Sequence, residues 1–184
     1  MQRLFAEDTA WHTPAITEIL PNVLTLCNAF EGRTLFAKFM LPHTPDHAAG
    51  RWRDYYRRWS MLTTAEFDPA FQDLMAPLAA RARPEDVLEK TTYSVFQIPG
   101  LAERLRGEGV EKLVFSGVET DICVLASVFD AIDAGFHAVV ISDAVGSSAP
   151  AAHRAALDHV LSRMPDQIDI IPTAGAVAAG GYAA

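Results

Sequence analysis

The second half of the chain alternates short apolar segments with longer segments of helical periodicity, and this alternation restricts the fold more than any other feature. Strands are predicted at 86–90, 112–116, 137–141 and 168–171, with helices at 100–108, 121–134 and 149–164 between them. Apolar strands without strict polar alternation are typical of a parallel sheet buried on both faces. The sequence therefore predicts an α/β protein with a Rossmann-like, three-layer fold, in which a doubly wound parallel sheet carries helices on both faces.

The first half of the chain is less regular. A helix is predicted from Pro14 to Cys27, because apolar residues recur there at mostly helical spacing, and Pro21 is expected to kink or restart it. A strand is predicted at 34–40, followed by a long loop with one helical turn at 41–64. We expect a single domain over residues 1–184 with a frayed tail at 173–184, where Ala and Gly dominate.

Charge and cysteine content limit the classes of partner. The chain has a formal net charge of -8 and a pI near 5.1, which argues against a binder of nucleic acids. Its two cysteines, Cys27 and Cys123, lie far apart in unrelated contexts, which favours a reducing compartment. Neither a signal peptide nor a membrane-spanning run is apparent. We therefore expect a cytoplasmic protein with a small-molecule partner, and neither a nucleic-acid nor a membrane partner.

Two predicted strand ends carry reactive groups. Lys90 ends one strand, and the turn Gly117 to Cys123 follows the next. Ligands of doubly wound sheets bind beyond the carboxyl ends of the strands. Thr120 or Asp121 is expected to cap the following helix, which places the Cys123 thiol near the positive end of the helix dipole and shifts it toward thiolate. Taken alone, the spacing favours simpler interpretations: Cys123 as a small buried residue and Lys90 as a solvated one.

Three motifs that follow one another along the chain favour a catalytic interpretation over these simpler ones: one at the N-terminus, one at Lys90 and one that ends at Cys123. A glycine, an aliphatic residue, a variable position, Thr, Asp and then Cys one residue later make up the stretch Gly117 to Cys123. An upstream motif consists of Lys90, Tyr93, Ser94 and Phe96, and matching positions continue through Asp130-Ala131, Gly135-Phe136 and Ser142-Asp143-Ala144. Over essentially its whole length, the chain resembles the isochorismatase-like hydrolases, the superfamily that includes nicotinamidases and N-carbamoylsarcosine amidases.

The resemblance implies a mechanism. Cys123 would be the nucleophile and Lys90 its cationic partner, and a thioester would form while an amide or ureido carbon–nitrogen bond is cleaved. The Val118-Glu119 peptide bond would be cis, and the amides of Glu119 and Cys123 would form an oxyanion hole. Substrate-binding residues are expected among the aromatic side chains near these motifs: Phe5, Trp52, Tyr56, Trp59, Tyr93 and Phe96. A homo-oligomer, a dimer or tetramer, is also expected.

The first motif of the family is incomplete. It places an aspartate at the end of the first strand, followed by a variable residue, Gln, two more residues and an aromatic. Met1 to Phe5 supply everything after the aspartate, so the general base would fall immediately before Met1, and the whole first strand is missing with it. Our hypothesis is that the start was assigned at an internal methionine and that the working protein is longer. The competing interpretation is a catalytically silent binding or scaffold protein.

No metal or other cofactor is expected. Nicotinamidases of the family carry an Asp and several His residues after the second strand, whereas this chain has His43, Asp46 and His47 without the Asp-x-His start. The segment 51–59 is rich in Arg, Trp and Tyr. A stacking platform for single-stranded nucleic acid is disfavoured by the acidic charge. A substrate lid and a subunit contact remain equally compatible with this composition.

Overall fold

The computed structural model describes residues 1–179, and the strands in that part of the chain run parallel in two groups. They are β1 (Phe36–Phe39), β2 (Val87–Lys90), β3 (Lys112–Val118), β4 (His137–Gly146) and β5 (Ile168–Ile171). One group pairs β1 with β2, and the other has the order β3-β4-β5. Each strand overlaps a predicted apolar segment, which confirms the α/β class.

Eight α-helices connect and cover these strands within residues 1–179. They are α1 (Arg3–Ala6), α2 (Ala15–Ala29), α3 (Trp52–Arg58), α4 (Ala76–Ala79), α5 (Leu101–Gly107), α6 (Leu125–Asp133), α7 (Pro150–Ala155) and α8 (Thr173–Ala178). A single π-helical turn at Thr120–Val124 precedes α6, and another at Ala156–Val160 follows α7. Short 3₁₀ turns occur at Pro45–His47, Ser60–Leu62, Pro69–Gln72, Pro84–Asp86, Val95–Gln97 and Leu161–Arg163.

The buried strand β4 forms the centre of the core. Ala138, Val139, Val140 and Ile141 are fully buried, because helices pack on both faces of the sheet here. Helix α2 contributes Ile19, Val23 and Leu26, which recur at spacings of three and four and so face the sheet together. Pro21 lies inside α2, which continues through it as one helix to Ala29.

A gap separates β1 from β3. Most residues of β3 are half-buried or exposed, whereas seven of the ten residues of β4 are buried. A cavity of about 1310 Å³ lies between the two groups of strands, lined by residues of β1 and β3 along their length and by Cys123 at the carboxyl ends. Among the described residues, no strand joins β1 to β3, so the edges of these two strands are unpaired along the gap.

Two predictions about irregular segments are corrected. The segment 41–64 is not a loop with one turn, because it contains the two-turn helix α3 and packs Leu41, Tyr56 and Leu62 against Leu4. The tail predicted to fray from residue 173 begins with α8, in which Thr173 and Ala176 are buried. The last part of that predicted tail, 180–184, lies outside the described residues.

Candidate active site

Lys90 and Cys123 come together at the carboxyl ends of the strands. Lys90 is the last residue of β2, and Cys123 lies in the π-helical turn that follows β3. The Lys90 Nζ is 3.5 Å from the Cys123 Sγ, within hydrogen-bonding distance for sulfur. Both atoms border the large cavity. A thiol and an amine are thus in direct contact at the place where ligands of parallel sheets bind.

The Lys90 ammonium is held by three further contacts. It donates hydrogen bonds to the carbonyl oxygens of Thr92 at 2.8 Å and Tyr93 at 2.6 Å, and it lies 5.0 Å from the ring centroid of Phe39. Lys90 is only 7% exposed, and this burial lowers the pKa of its ammonium, while the neighbouring Cys123 opposes the shift. The solvated lysine considered from the sequence is therefore not what the structure shows.

Burial dominates the ionisation of Cys123. It raises the pKa of the thiol, and the charge and hydrogen bond of Lys90 offset part of that rise. The backbone N–H of Glu119 also lowers the pKa of the thiol by hydrogen bonding to it, whereas the Glu119 carboxylate raises it. The expected net shift toward thiolate is therefore wrong for this structure, because desolvation of the charged form outweighs the favourable contacts.

The turn that carries Cys123 is fixed from several sides. The Val118-Glu119 peptide bond is cis, and Gly117 before it has a φ of 100°, a conformation that favours glycine. Neither Thr120 nor Asp121 caps the helix, contrary to expectation, since no side chain caps this turn. The Thr120 hydroxyl instead bonds to His153 Nδ1 at 2.9 Å, while the Asp121 Oδ1 is buried without a partner among the described residues.

A serine connects this turn with the segment after Lys90. Ser127 Oγ donates to the carbonyl oxygen of Cys123 at 2.7 Å and accepts the backbone N–H of Val95 at 3.1 Å. Ser127 is one helical turn after Cys123, so its side chain reaches back to that carbonyl. This single residue therefore holds the Cys123 turn in register with the loop that binds the Lys90 ammonium.

The structure divides the predicted substrate-binding residues into two groups. Phe5, Trp59, Tyr93 and Phe96 line the cavity, but Trp52 and Tyr56 are not among the described residues that do. Tyr56 is 2% exposed within the aromatic and aliphatic core cluster around Leu4, which contradicts a direct role in substrate binding. Trp52 packs on Tyr93 with ring centroids 4.7 Å apart, so it supports a lining residue from behind.

Tyr55 and Trp11 line the cavity but were not predicted from the sequence to bind substrate. Tyr55 and Trp59 share one face of the α3 region and border the cavity, while Trp52 and Tyr56 share the face that points into the core. Trp11 also lines the cavity, with its ring 5.9 Å from Tyr55 and 6.0 Å from Trp59. The i, i+4 spacing could have separated the two faces, but only tertiary packing shows which face is buried. Burial also raises the pKa of the Tyr55 phenol to about 12.

The histidines after β1 have other partners. His47 Nδ1 bonds to the Thr44 hydroxyl at 2.8 Å, and Asp46 lies 3.8 Å from Arg57 and 3.9 Å from Arg53. Within residues 1–179, no group of three or more His, Cys, Asp or Glu side chains has an arrangement that could hold a metal ion. In the same part of the chain, no helix has the length and apolarity needed to cross a bilayer.

The fold and this geometry define a class: parallel α/β proteins that place a thiol and a buried amine together beyond their strands. The family model described as an isochorismatase domain matches residues 1–170, so the chain belongs to the isochorismatase family. A crystal structure of a cysteine hydrolase from Pseudomonas syringae pv. phaseolicola 1448A shares the fold, with a TM-score of 0.79, 21% identity and coverage of 99% of this chain and 89% of that one.

Two further relatives bear on the chemistry. The crystal structure of nicotinamidase PncA from Bacillus subtilis is similar at 27% identity and a TM-score of 0.71, covering 91% of this chain and 94% of that one. Maleamate amidohydrolase from Pseudomonas putida KT2440 is 34% identical over 99 residues, which is 54% of this chain and 45% of that protein. The chain spans less than half the length of curated relatives that it matches.

Proposed function

We propose that this protein is a cysteine-dependent hydrolase that cleaves the carbon–nitrogen bond of a small amide or ureido compound. The contact of 3.5 Å between Lys90 Nζ and Cys123 Sγ at the cavity carries this proposal. Burying an ammonium group is costly unless its charge is compensated. A buried ammonium beside a thiol therefore indicates a chemical role rather than a contribution to stability. The names of the maleamate amidohydrolase and nicotinamidase relatives support the same class of bond.

The reaction proceeds in two steps. A general base takes the proton of the Cys123 thiol as the sulfur attacks the substrate carbonyl carbon and forms a carbon–sulfur bond; it passes this proton to the nitrogen as the carbon–nitrogen bond breaks, so that ammonia or an amine leaves. Water then attacks the thioester carbonyl, which releases the carboxylic acid and returns the thiol. Lys90 stabilises the thiolate by its charge, and the backbone amides of Glu119 and Cys123 donate to the developing oxyanion.

A general base completes the site. We propose that an extended segment ending in Asp, joined directly to Met1, occupies the gap between β1 and β3 and supplies that carboxylate. A Cβ at Gly117 would lie 3.5 Å from the Met1 side chain, so Met1 is next to the turn that carries Cys123. Gln2 bonds through its side chain to both the N–H and the carbonyl of Phe39, on the edge of β1 that faces away from β2.

Hydrolysis of a panel of small amides tests this function. We compare the chain of 184 residues with a protein extended upstream by one strand ending in Asp, and with the same extension ending in Asn. The Asp extension should hydrolyse an amide at least tenfold faster than the other two proteins, because one positioned base contributes roughly 10²–10⁴-fold. Equal activity of all three would refute the role of the aspartate.

The competing function is a silent binding or scaffold protein with this fold. It is favoured by the raised pKa of Cys123, since a thiol protonated at neutral pH is a weak nucleophile. No turnover by the extended protein, together with no covalent capture of substrate by Cys123, would select this alternative.

We further propose that the protein works on a small molecule in the cytoplasm, as a homodimer or homotetramer.

A further inference from the structure

The Glu119 carboxylate lies beside the reaction centre, where it accepts hydrogen bonds from uncharged groups. Its Oε1 accepts hydrogen bonds from the backbone N–H of Ser148 at 2.9 Å and the hydroxyl of Thr13 at 3.3 Å. Eight Lys and Arg residues within 1–179 form ion pairs with other carboxylates, and Glu119 takes part in none of these pairs. A negative charge here opposes ionisation of the Cys123 thiol, so nucleophile activation does not explain it.

Aromatic rings form the wall of the cavity next to this carboxylate. The indole of Trp11 lies 5.9 Å from Tyr55, 6.0 Å from Trp59 and 6.1 Å from Phe5, measured between ring centroids, and all four rings line the cavity. Thr13 ties Glu119 to this wall, because its hydroxyl bonds to the carboxylate and lies 3.3 Å from the Trp11 carbonyl oxygen. The four rings are half-buried, which leaves ring surface open to a ligand.

The basic residues of the cavity lie mostly at its opposite end. Arg33, Arg83 and Lys112 are located at the amino ends of β1, β2 and β3, far along the strands from Cys123, and Arg104 lies in α5, where it forms an ion pair with Glu108. At the carboxyl end, Lys90 is the one Lys or Arg among the described lining residues, and its ammonium is engaged by two carbonyl oxygens and the thiol. A substrate carboxylate therefore meets no guanidinium here and faces Glu119 instead.

We propose that the substrate carries an ammonium group, held between the Glu119 carboxylate and the rings of Trp11, Tyr55 and Trp59. This substrate class rests on the proposed hydrolysis at the same site. Aromatic faces attract cations through the ring quadrupole, and a carboxylate adds charge complementarity. An uncharged flat ligand would desolvate Glu119 without compensation, and an anionic ligand would be repelled by it. Arg58 already places a guanidinium 5.6 Å from the Trp59 ring, outside the cavity lining.

A matched pair of ligands tests the proposal without requiring turnover. Choline and 3,3-dimethylbutan-1-ol have the same shape and differ in charge, and binding of each to the full chain is followed by the NMR signals of the tryptophan indole N–H groups. We expect choline to bind at least tenfold more tightly and to shift the Trp11 and Trp59 signals. Equal binding, tighter binding of the neutral alcohol, or no saturable shift with choline would overturn the proposal.

The variant Glu119→Gln separates charge recognition from a structural role, because the amide oxygen can still accept from Ser148 and Thr13. Choline affinity should fall about tenfold, while affinity for the neutral alcohol should change less than twofold. An equal loss for both ligands would show a structural role only and would overturn the proposal. Glu111→Gln, at the amino end of β3 in the same cavity lining, is the control and should change neither affinity.

The comparison of the two ligands in the unsubstituted protein decides the question even where the variant does not fold. Binding and hydrolysis are also read separately. A preference for choline without hydrolysis of any amide by the extended protein would reject the proposed function alone. Hydrolysis of neutral amides without any preference for cations would reject the substrate class alone.

Discussion

Lys90 and Cys123 belong to different groups of strands, and their contact of 3.5 Å spans the gap between them. Lys90 ends β2, which pairs with β1, whereas Cys123 follows β3, which pairs with β4. The relative position of the two groups therefore sets the distance between the ammonium and the thiol. Ser127 reinforces it by bonding to both the Cys123 carbonyl and the Val95 amide.

The variant Lys90→Met tests whether the Lys90 ammonium activates the Cys123 thiol. It keeps an unbranched chain but removes the charge and the hydrogen bond that lower the pKa of Cys123. We expect amide hydrolysis by the extended protein to fall roughly 10²–10⁴-fold, because the thiolate loses its charge partner. Steady-state kinetics measures the loss. Lys112→Met, at the exposed start of β3, is the control and should retain activity; a full rate in Lys90→Met would exclude the proposed role.

The pH dependence of alkylation reports the ionisation of Cys123. Because burial raises the pKa of this thiol, its reaction with iodoacetamide should increase with pH through a midpoint above the ordinary value of about 8.5. In Lys90→Met the midpoint should move higher still. Peptide mass mapping follows both cysteines, and Cys123 should react faster than Cys27, which is 8% exposed in the core. A midpoint near 7 in the unsubstituted protein would contradict the conclusion that burial affects the pKa of the Cys123 thiol more than the charge of Lys90 does.

Tyr55 and Tyr56 are adjacent in sequence, but substitution of Tyr56 should mainly lower stability, whereas substitution of Tyr55 should mainly affect substrate binding. Tyr56→Ala removes a ring from the core and should lower the free energy of unfolding by about 3–5 kcal/mol, as large-to-small core substitutions do. Tyr55→Ala should cost less stability and raise KM, since this ring borders the cavity. Urea denaturation and kinetics separate the two effects. Reversed results would mean that α3 presents its other face to the cavity.

The Tyr56 hydroxyl offers a finer test of burial. It has no hydrogen-bond partner among the described residues, and an unsatisfied buried polar group costs about 1–3 kcal/mol. Tyr56→Phe should therefore leave the free energy of unfolding unchanged or increase it. Tyr55→Phe serves as the comparison at a less buried site. A clear loss of stability in Tyr56→Phe would reveal a partner that the structure does not show.

Gln2 is expected to stabilise the edge of β1. Its carboxamide accepts the Phe39 N–H at 2.7 Å and donates to the carbonyl oxygens of Phe39 at 3.0 Å and Gln72 at 2.7 Å. Gln2→Ala leaves these buried groups unsatisfied and should lower the free energy of unfolding by about 2–4 kcal/mol. Gln97→Ala, at an exposed position, should change it by less than about 0.5 kcal/mol. Similar effects of both substitutions would contradict this role.

Local sequence patterns were sufficient to locate the strands. The apolar runs at 137–141 and 168–171 predicted β4 and β5 because these strands are covered on both faces and have no polar alternation to obscure them. The motifs of the family located Lys90 and Cys123. The distance between the Lys90 and Cys123 side chains, in contrast, depends on how the two groups of strands pack, and no local sequence pattern encodes it.

Where the sequence predictions were wrong, tertiary burial was the missing information. The composition of the segment 41–64 suggested a loop, but contacts of its aromatic residues with Leu4 and Phe39 stabilise a helix there. Tyr56 and Tyr55 could not be assigned to core and cavity until the packing of α3 was known. The ionisation of Cys123 was predicted from a helix dipole and a cation, whereas its desolvation depends on everything packed around it.

Covalent capture of substrate tests the central claim most directly. The extended protein is mixed with an amide that it hydrolyses, quenched in acid within a single turnover, and digested for peptide mass mapping. We predict an acyl group on the peptide that contains Cys123, with none on Cys27 and none in Cys123→Ala. An active enzyme that shows no acyl adduct under these conditions, or that remains active as Cys123→Ala, would contradict the account.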